Sequence, residues 1–162
     1  MAENRGKQFE DKVKEAFEKV KGVSVDRLHD QTTGYLGSSN ICDFIVYKYP
    51  NIFYMECKSV HGNTFSIHSN DTKNKYGNLT NKQFEGLLEK SHIDGVYAGV
   101  LIWWVDKDVT KFFDIWYINK LVSVGIKSIK YDDLWGIEVP GKKKRVFFDY
   151  DMKELLDDLQ SY

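Results

Sequence analysis

The residues whose types and spacing could do chemistry lie in the run YMECKSV, which has the pattern of a β-strand. Successive side chains of a strand point to opposite faces of the sheet. Glu56 and Lys58 therefore share one face, and Met55 and Cys57 share the other. We expect the first face to be charged and the second to pack in the core.

A third charged residue, Asp43, lies in a preceding strand. Two apolar runs, Ile41–Lys48 and Ile52–Val60, flank a tight connection at residues 49–51, and this arrangement predicts a β-hairpin. The side chain of Asp43 points away from both of its neighbours, which we expect in the core. The hairpin would then bring the carboxylate of Asp43 beside the charged face of the second strand.

Two carboxylates and a lysine in this arrangement suit the hydrolysis of a phosphodiester. Carboxylate oxygens are hard ligands for Mg²⁺, which polarises a phosphate and activates water. The ammonium group of Lys58 would orient that water and stabilise the developing charge. A plain Glu–Lys pair on an edge strand has the same two-residue spacing, so the prediction of a site depends on the other residues near it.

Another carboxylate, that of Glu10, lies beside the apolar stripe of a predicted N-terminal helix. Apolar residues recur at helical spacing from Asn4 to Lys21, and Val13 and Phe17 follow Glu10 by three and seven positions. Polar groups are costly on a packed face. Glu10 is therefore either a third carboxylate that faces a metal or a glutamate at the margin of the stripe.

Gln83 lies near the start of a second predicted helix. The pattern Thr80-x-x-Gln83 is a capping box, in which the two side chains bond each other's backbone N–H groups. Gln83 is also on the Leu87 side of the helix, which could place its amide at the site. The two interpretations remain open.

The remaining pattern predicts one α/β domain over residues 1–162, with a mixed β-sheet flanked by α-helices. Besides the hairpin, the predicted strands are Val23–Leu28, Thr64–Ile67, Val96–Val105, Lys111–Ile118 and Val146–Phe148. The predicted helices are Asn4–Lys21, Asn81–Ser91, Asn119–Val124 and a terminal helix from Met152. Residues 61–79, rich in Gly, Asn and Ser, predict a mobile loop that closes over a substrate, and Gly141–Arg145 predicts a basic turn.

The strands also carry many aromatic residues. They could stack on nucleic-acid bases, but their alternating pattern favours core or dimer surface. We expect the core for this set, which is Trp103, Trp104, Phe112, Phe113, Trp116 and Tyr117.

Composition and charge limit the class of protein. The formal net charge of −1 argues against a strongly basic protein that binds nucleic acid by charge alone. Two cysteines are too few for a disulfide framework, so we expect a reducing, cytoplasmic location. The N-terminal segment has no apolar stretch typical of a signal peptide, and no apolar run is long enough to span a membrane.

Four segments together resemble the RecU-type Holliday-junction resolvases, which have the restriction-endonuclease-like PD-(D/E)xK fold. These segments are, in order, NRGKQFE, SSNICDF, FYMECKS and NKQFE. The resemblance implies a homodimer that cuts four-way DNA junctions with Mg²⁺ or Mn²⁺ as cofactor. It also implies that Asp43 and Glu56 are metal ligands, that Lys58 is the catalytic lysine, that Glu10 is a supporting acidic residue and that Gln83 belongs to the site.

Further residues are placed to bind DNA if this interpretation holds. Loops on a rigid scaffold commonly carry binding residues, and basic side chains contact phosphates. The candidates are Arg5, Lys7, Ser38, Ser39, Lys73 and Lys75. The basic run from Lys142 to Arg145 is either a further phosphate-binding segment or a solvated turn.

Two alternatives to a junction resolvase stay open. RecU proteins insert a stalk before the catalytic strands, and the segment between Leu28 and Ile41 is too short to hold one. This departure leaves room for a restriction or repair nuclease with the same chemistry. The third possibility is a DNA-binding module that keeps the fold without cutting, although such a module has no physical reason to keep two carboxylates that repel each other.

Overall fold

The computed structural model describes residues 4–29, 40–67, 78–143 and 148–161. Its helices are α1 (Arg5–Glu18), α2 (Asn81–Ser91), α3 (Ile115–Ser123) and α4 (Met152–Gln160). Its strands are β1 (Val23–Arg27), β2 (Phe44–Lys48), β3 (Asn51–Val60), β4 (Thr64–Ser66), β5 (Val96–Trp104), β6 (Val109–Asp114), β7 (Ser128–Lys130), β8 (Ile137–Glu138), β9 (Gly141–Lys143) and β10 (Phe148–Tyr150). No helix within these described ranges is long and apolar enough to cross a membrane.

Six strands form the central sheet in the order β1-β2-β3-β5-β6-β8. The strands β3 and β5 are parallel, and every other neighbouring pair is antiparallel. Two short ribbons, β4–β7 and β9–β10, lie outside this sheet. The expected α/β fold with a mixed sheet flanked by helices is confirmed.

The predicted hairpin is formed by β2 and β3. Their register pairs Phe44 with Met55 and Lys48 with Asn51, across a turn at Tyr49 and Pro50. The strand β2 begins one residue after Asp43, so this aspartate lies at the entrance of the hairpin and not within the strand itself.

Apolar side chains cover both faces of the sheet. On one face, α1 and α4 pack against side chains of β3 that include Phe53 and Met55. On the other face, α2 and α3 pack against side chains of β5 that include Val100 and Ile102. Because both faces of the central strands are covered, any charged group on those strands lies in a largely dry environment unless it is at a strand end.

The expectation that the aromatic residues form the core is confirmed for four of them and wrong for one. Trp103, Trp104, Phe112 and Phe113 are at most 4% exposed, whereas Trp116 is 48% exposed. Trp116 lies on α3, where it stacks edge-on against the ring of His92.

The predicted strand Lys111–Ile118 is wrong in its second half. The helix α3 begins at Ile115, because the side chain of Asp114 accepts a hydrogen bond from the backbone N–H of Trp116 and caps the helix. Ile115 and Ile118 are then buried on one side of the helix. The aromatic and β-branched residues favoured a strand in the sequence, and the capping aspartate overrides that preference.

Two other expectations need correction. Residues 141–143 form the strand β9, paired with β10, where the sequence predicted a turn; residues 144–147 lie outside the described residues. Within the expected mobile loop at 61–79, Phe65, Ile67 and Leu79 are buried in the core. Apolar side chains in an otherwise polar segment give the backbone a fixed position here. Residues 68–77 lie outside the described part.

Candidate active site

The expected charged residues line one polar cavity of about 340 Å³ at the entrance of the hairpin. The structure brings together all five side chains that the sequence predicted as catalytic, namely Glu10, Asp43, Glu56, Lys58 and Gln83. The wall is completed by the N-terminal turn of α1 at Gly6 and by Asn40 and Ser59. Three separate elements, α1, the β2–β3 hairpin and α2, therefore meet at this cavity.

Asp43 is held in place by the strand opposite it. Its backbone N–H donates to the carbonyl oxygen of Met55 at 3.2 Å, which extends the hairpin pairing by one residue. Its carboxylate oxygen Oδ2 accepts a hydrogen bond from the backbone N–H of Cys57 at 2.8 Å. The side chains of Cys42 and Phe44 on either side are buried, as the alternation predicted. The carboxylate of Asp43 is thereby directed at β3.

Glu56 lies in the middle of β3 and is only 3% exposed. Its Oε1 atom accepts a hydrogen bond from Nε2 of Gln83 at 2.9 Å and lies 3.2 Å from the ammonium nitrogen of Lys58. Glu56 and Lys58 do share one face of the strand, as expected. Glu56 is nevertheless buried, because α2 packs over this face.

Both central carboxyl groups have pKa values above their ordinary range. Burial raises the pKa of Asp43 to about 6, and the nearby charge of Glu10 adds to the effect. Burial, followed by the charge of Asp43, raises the pKa of Glu56 to about 8, although Lys58 opposes the increase. The carboxyl groups of Asp43 and Glu56 are in hydrogen-bond contact, which requires that they share a proton.

This donor set fits a divalent cation. Two carboxyl groups that are in contact, poorly hydrated and mutually repelling gain stability when a bound cation replaces the shared proton. Oxygen ligands on a partly open cavity are those that Mg²⁺ and Mn²⁺ accept, with water at the remaining positions. Asp43 and Glu56 are therefore the residues that could hold such an ion.

The predicted third ligand, Glu10, has a different partner. Its carboxylate Oε2 accepts a hydrogen bond from Nη2 of Arg27 at 2.7 Å, and Nη1 of the same guanidinium binds Asp11 at 2.6 Å. Among the residues described, no group of three or more His, Cys, Asp or Glu side chains is arranged to hold a metal ion. A role of Glu10 as a metal ligand stays a prediction.

Gln83 combines the two functions that the sequence left open. Its Oε1 atom accepts a hydrogen bond from the backbone N–H of Thr80, and Thr80 Oγ1 accepts from the backbone N–H of Gln83, both at 3.1 Å. Its Nε2 atom donates to Glu56. These two partners fix the orientation of the amide. In the reversed orientation, Nε2 would face the N–H of Thr80 and Oε1 would face the carboxylate of Glu56, and neither hydrogen bond could form. The start of α2 is thus built into the site.

No protein-family model matches the chain. No curated protein matches it in sequence either. Among solved structures, it is similar to Hjc of Archaeoglobus fulgidus, a Holliday junction resolvase from an archaeal hyperthermophile, with 14% identity and a TM-score of 0.48. The similarity covers 82% of this chain and 91% of that one. A likeness of this strength leaves the function to be argued from the side chains of the cavity.

Two of the predicted DNA-binding residues are neighbours in sequence of a residue that lines the cavity. Arg5 and Lys7 are in the first turn of α1, on either side of Gly6, which lines the cavity. The guanidinium of Arg5 donates to Gln8 Oε1 at 3.4 Å, and Lys7 is exposed. The other four candidates, Ser38, Ser39, Lys73 and Lys75, lie outside the described residues.

Sequence reasoning missed Arg27. This residue is on β1, opposite Phe44, and its guanidinium binds two carboxylates of α1, those of Glu10 and Asp11. Nothing in the spacing of Arg27, Glu10 and Asp11 along the chain indicates this contact, because it depends on how α1 crosses the edge of the sheet. The sequence feature that could have indicated the contact is an arginine at the end of a short strand that follows a helix with two adjacent acidic residues.

Proposed function

We propose that the protein is a metal-dependent DNA endonuclease that hydrolyses phosphodiesters in branched DNA such as four-way junctions. The observation that carries the proposal is that the half-buried Asp43 and the buried Glu56 line one polar cavity, with the ammonium group of Lys58 at 3.2 Å from Glu56. Two neighbouring carboxylates repel each other and so destabilise the folded protein. Such pairs occur at functional sites, where they bind a cation that in turn contacts a phosphate.

In this proposal, Asp43 and Glu56 hold Mg²⁺ or Mn²⁺, which polarises the phosphate and makes bound water a stronger nucleophile. Gln83 keeps Glu56 in position through its Nε2 hydrogen bond. Lys58 is 24% exposed at its side chain, so its ammonium group reaches the cavity opening, where it contacts the phosphate and stabilises the charge of the transition state.

This division of roles predicts that Lys58→Ala loses cleavage but still binds metal, because the ammonium group is not a ligand. Calorimetric titration with Mn²⁺ measures the binding, and cleavage of labelled DNA measures the activity. Loss of Mn²⁺ binding in Lys58→Ala would contradict the role assigned to the lysine.

The preference for branched DNA is supported by the resemblance to the RecU-type resolvases in four segments. Each segment contributes a residue to this cavity, namely Glu10, Asp43, Glu56 and Gln83 in chain order. The same resemblance supports a homodimer. A symmetric junction needs two cuts, and a two-fold dimer presents two identical sites at a fixed separation. Sedimentation with and without junction DNA tests this, and a monomer at micromolar concentration in both conditions would exclude the dimer.

The activity is tested by incubating the purified protein with labelled four-way junction, flap, duplex and single-stranded DNA, with Mg²⁺ or with EDTA. We expect Mg²⁺-dependent cleavage that is strongest on the junction. Asp43→Asn serves as the matched control, because it removes one carboxylate and changes the volume little. Cleavage by this variant at the wild-type rate would show that a contaminating nuclease cuts the DNA.

The result also separates the alternatives. Equal cleavage of duplex and junction indicates a nuclease of restriction or repair type, for which the same three residues serve. Binding of DNA without cleavage by any metal indicates an inactive module and would overturn the proposed activity.

A further inference from the structure

A second polar surface lies on the ribbon formed by β4 and β7. We call it the β4–β7 ribbon and define it as residues 64–67 and 127–130. Its pairing is antiparallel, with Thr64 opposite Lys130 and Ser66 opposite Ser128. The pairing continues for one residue, because the backbone N–H of Ile67 donates to the carbonyl oxygen of Lys127 at 2.9 Å.

The two faces of this ribbon differ. The inner face is anchored by Phe65 and Ile129, which are 0% and 1% exposed and belong to the core under α2 and α3. The outer face carries three hydroxyl groups and an ammonium group, those of Thr64, Ser66, Ser128 and Lys130. The buried inner face fixes the outer groups in position, as a binding surface requires.

The ribbon also joins two stretches of the chain that contain no acidic residue. No Asp or Glu occurs from Cys57 to Ile67 or from Ile115 to Tyr131, although the chain has 24 acidic residues among 162. Lys127, at the end of the ribbon, is exposed, and Lys107 lies 5.1 Å from the centre of the Tyr131 ring that follows β7. The nearby carboxylate of Asp106 is bound by the backbone N–H of Gly62 at 2.6 Å.

The chain connects the ribbon to the cavity at both ends. The strand β4 begins six residues after Lys58, and the carbonyl oxygen of Ser66 accepts a hydrogen bond from the backbone N–H of Asn78 at 3.0 Å. Asn78 is five residues before Gln83, so Ser66 lies within roughly 20 Å of the cavity by the reach of an extended chain. Phosphates of one DNA strand are spaced about 3.4 Å apart along the helix axis, so this distance corresponds to at most about six nucleotides.

We propose that the outer face of the β4–β7 ribbon binds the phosphate backbone of the DNA a few nucleotides from the scissile phosphate. Hydroxyl and ammonium groups donate hydrogen bonds to phosphate oxygens without reading bases. The ribbon therefore increases the affinity of the protein for DNA and fixes the position of the DNA relative to the cavity. It does not determine which DNA structure is cut. This inference rests on the proposed function, since it assigns a second contact to the same substrate.

The experiment measures binding of fluorescein-labelled four-way junction and duplex DNA by anisotropy over a series of salt concentrations, with EDTA present to prevent cleavage. Lys127→Ala/Lys130→Ala removes two positive charges from the ribbon. Ser128→Glu places a negative charge at the centre of its outer face. Lys19→Ala/Lys153→Ala is the matched control, because these exposed lysines line a separate cleft between α1 and α4.

We expect the slope of log affinity against log salt to decrease in magnitude by about 1 in the Lys127/Lys130 variant, for the phosphate contact of Lys130 on the outer face. Ser128→Glu should weaken binding to both DNAs about tenfold. The Lys19/Lys153 control should keep the wild-type slope, and thermal melting should show all three variants folded. Cleavage by the Lys127/Lys130 variant at low salt should persist, because the cavity is intact.

Wild-type slopes and affinities in both ribbon variants would overturn the inference while leaving the proposed nuclease untouched. Equal loss of slope in the control would show that the effect is one of net charge, which also overturns it. A wild-type protein that binds neither DNA would overturn the ribbon and the proposed function together.

Discussion

Two pairs of carboxylates lie a short distance apart in this molecule, and they are stabilised in opposite ways. Glu10 and Asp11 are both bound by the guanidinium of Arg27, at 2.7 and 2.6 Å. Asp43 and Glu56 contact each other and have the single ammonium group of Lys58 at 3.2 Å from Glu56. In the first pair each carboxylate has its own hydrogen bond to the guanidinium, whereas in the second pair the ion pair with Lys58 is made by Glu56.

The difference separates a structural role from a binding role. A carboxylate bound by arginine has its charge satisfied, and a ligand cation would have to compete with that arginine. Two buried carboxyl groups with raised pKa values keep an unfilled capacity for positive charge. The predictions that follow test this contrast, from the largest expected effect to the smallest.

The largest effect is on cleavage. Glu56→Gln should lower the rate of DNA cleavage by about 100-fold or more, because it removes a ligand charge from the unsatisfied pair. Asp11→Asn is the matched control on the satisfied pair and should change the rate less than about twofold. Single-turnover cleavage at saturating Mg²⁺ measures both, and equal losses would remove the distinction between the pairs.

The second effect is on stability against pH in the metal-free protein. Carboxyl groups with raised folded pKa values bind more protons in the folded state, so they stabilise the fold below their ordinary pKa and lose this effect as pH rises. Because the pKa values of Asp43 and Glu56 are about 6 and 8, stability should fall between about pH 4 and pH 8.

Thermal melting should therefore show a Tm roughly 5 °C lower at pH 8 than at pH 5. Glu56→Gln should remove most of this decrease, and Asp11→Asn should retain it. Addition of Mn²⁺ at pH 8 should raise the Tm of the wild type to its value at pH 5. A Tm independent of pH in the wild type would show that neither carboxyl group has a raised pKa in the folded protein.

The third effect concerns the satisfied pair. Arg27→Ala should lower the free energy of unfolding by about 2 kcal/mol, because it leaves two partly buried carboxylates without their partner. Lys14→Ala is the control, since its ion pair with Glu18 is exposed at 3.6 Å, and it should cost less than about 0.5 kcal/mol. Urea unfolding measures the stability of both variants. Equal losses of unfolding free energy would mean that the partly buried ion pairs of Arg27 stabilise the fold no more than an exposed ion pair does.

The smallest effect separates the capping of α2 from the hydrogen bond between Gln83 and Glu56. Thr80→Ala removes the hydrogen bond from the backbone N–H of Gln83 to Thr80 Oγ1 and keeps both bonds of the Gln83 amide. It should cost about 1 kcal/mol of stability, with cleavage nearly unchanged. Gln83→Glu keeps an acceptor for the cap but replaces the donor to Glu56 with a second carboxylate. It should lower cleavage more than Thr80→Ala does, and the reverse order would assign Gln83 to the helix alone.

The hairpin and the residues on it could be predicted because both depend on local pattern. The alternation of β3 placed Glu56 beside Lys58, and the tight turn at Pro50 fixed the register that brings Asp43 to them. The burial of Glu56 could not be predicted, because it comes from α2 packing over the strand. The pairing of Arg27 with Glu10 was equally hidden, since it depends on the crossing of two elements.

The start of α3 shows a different limit. The residues from Ile115 to Tyr117 have the composition of a strand, but they begin a helix that is capped by the hydrogen bond from Trp116 N–H to Asp114. A possible capping aspartate directly after a strand could be seen in the sequence. The sequence alone did not show that this cap would outweigh the strand preference of four aromatic residues.

The parallel pairing of β3 with β5 has a consequence for the order in which the molecule folds. The hairpin β2–β3 is local in sequence, whereas β5 begins 36 residues after β3 ends and must be brought back by way of α2. Local contacts form sooner than distant ones because less chain entropy is lost in closing them. We expect Asp43 and Glu56 to meet early, while the hairpin is still hydrated, and to lose their water only when β5 and α2 dock. The late step of folding is then the one that encloses the two carboxyl groups, and it is this step that pH and divalent cations should accelerate or slow.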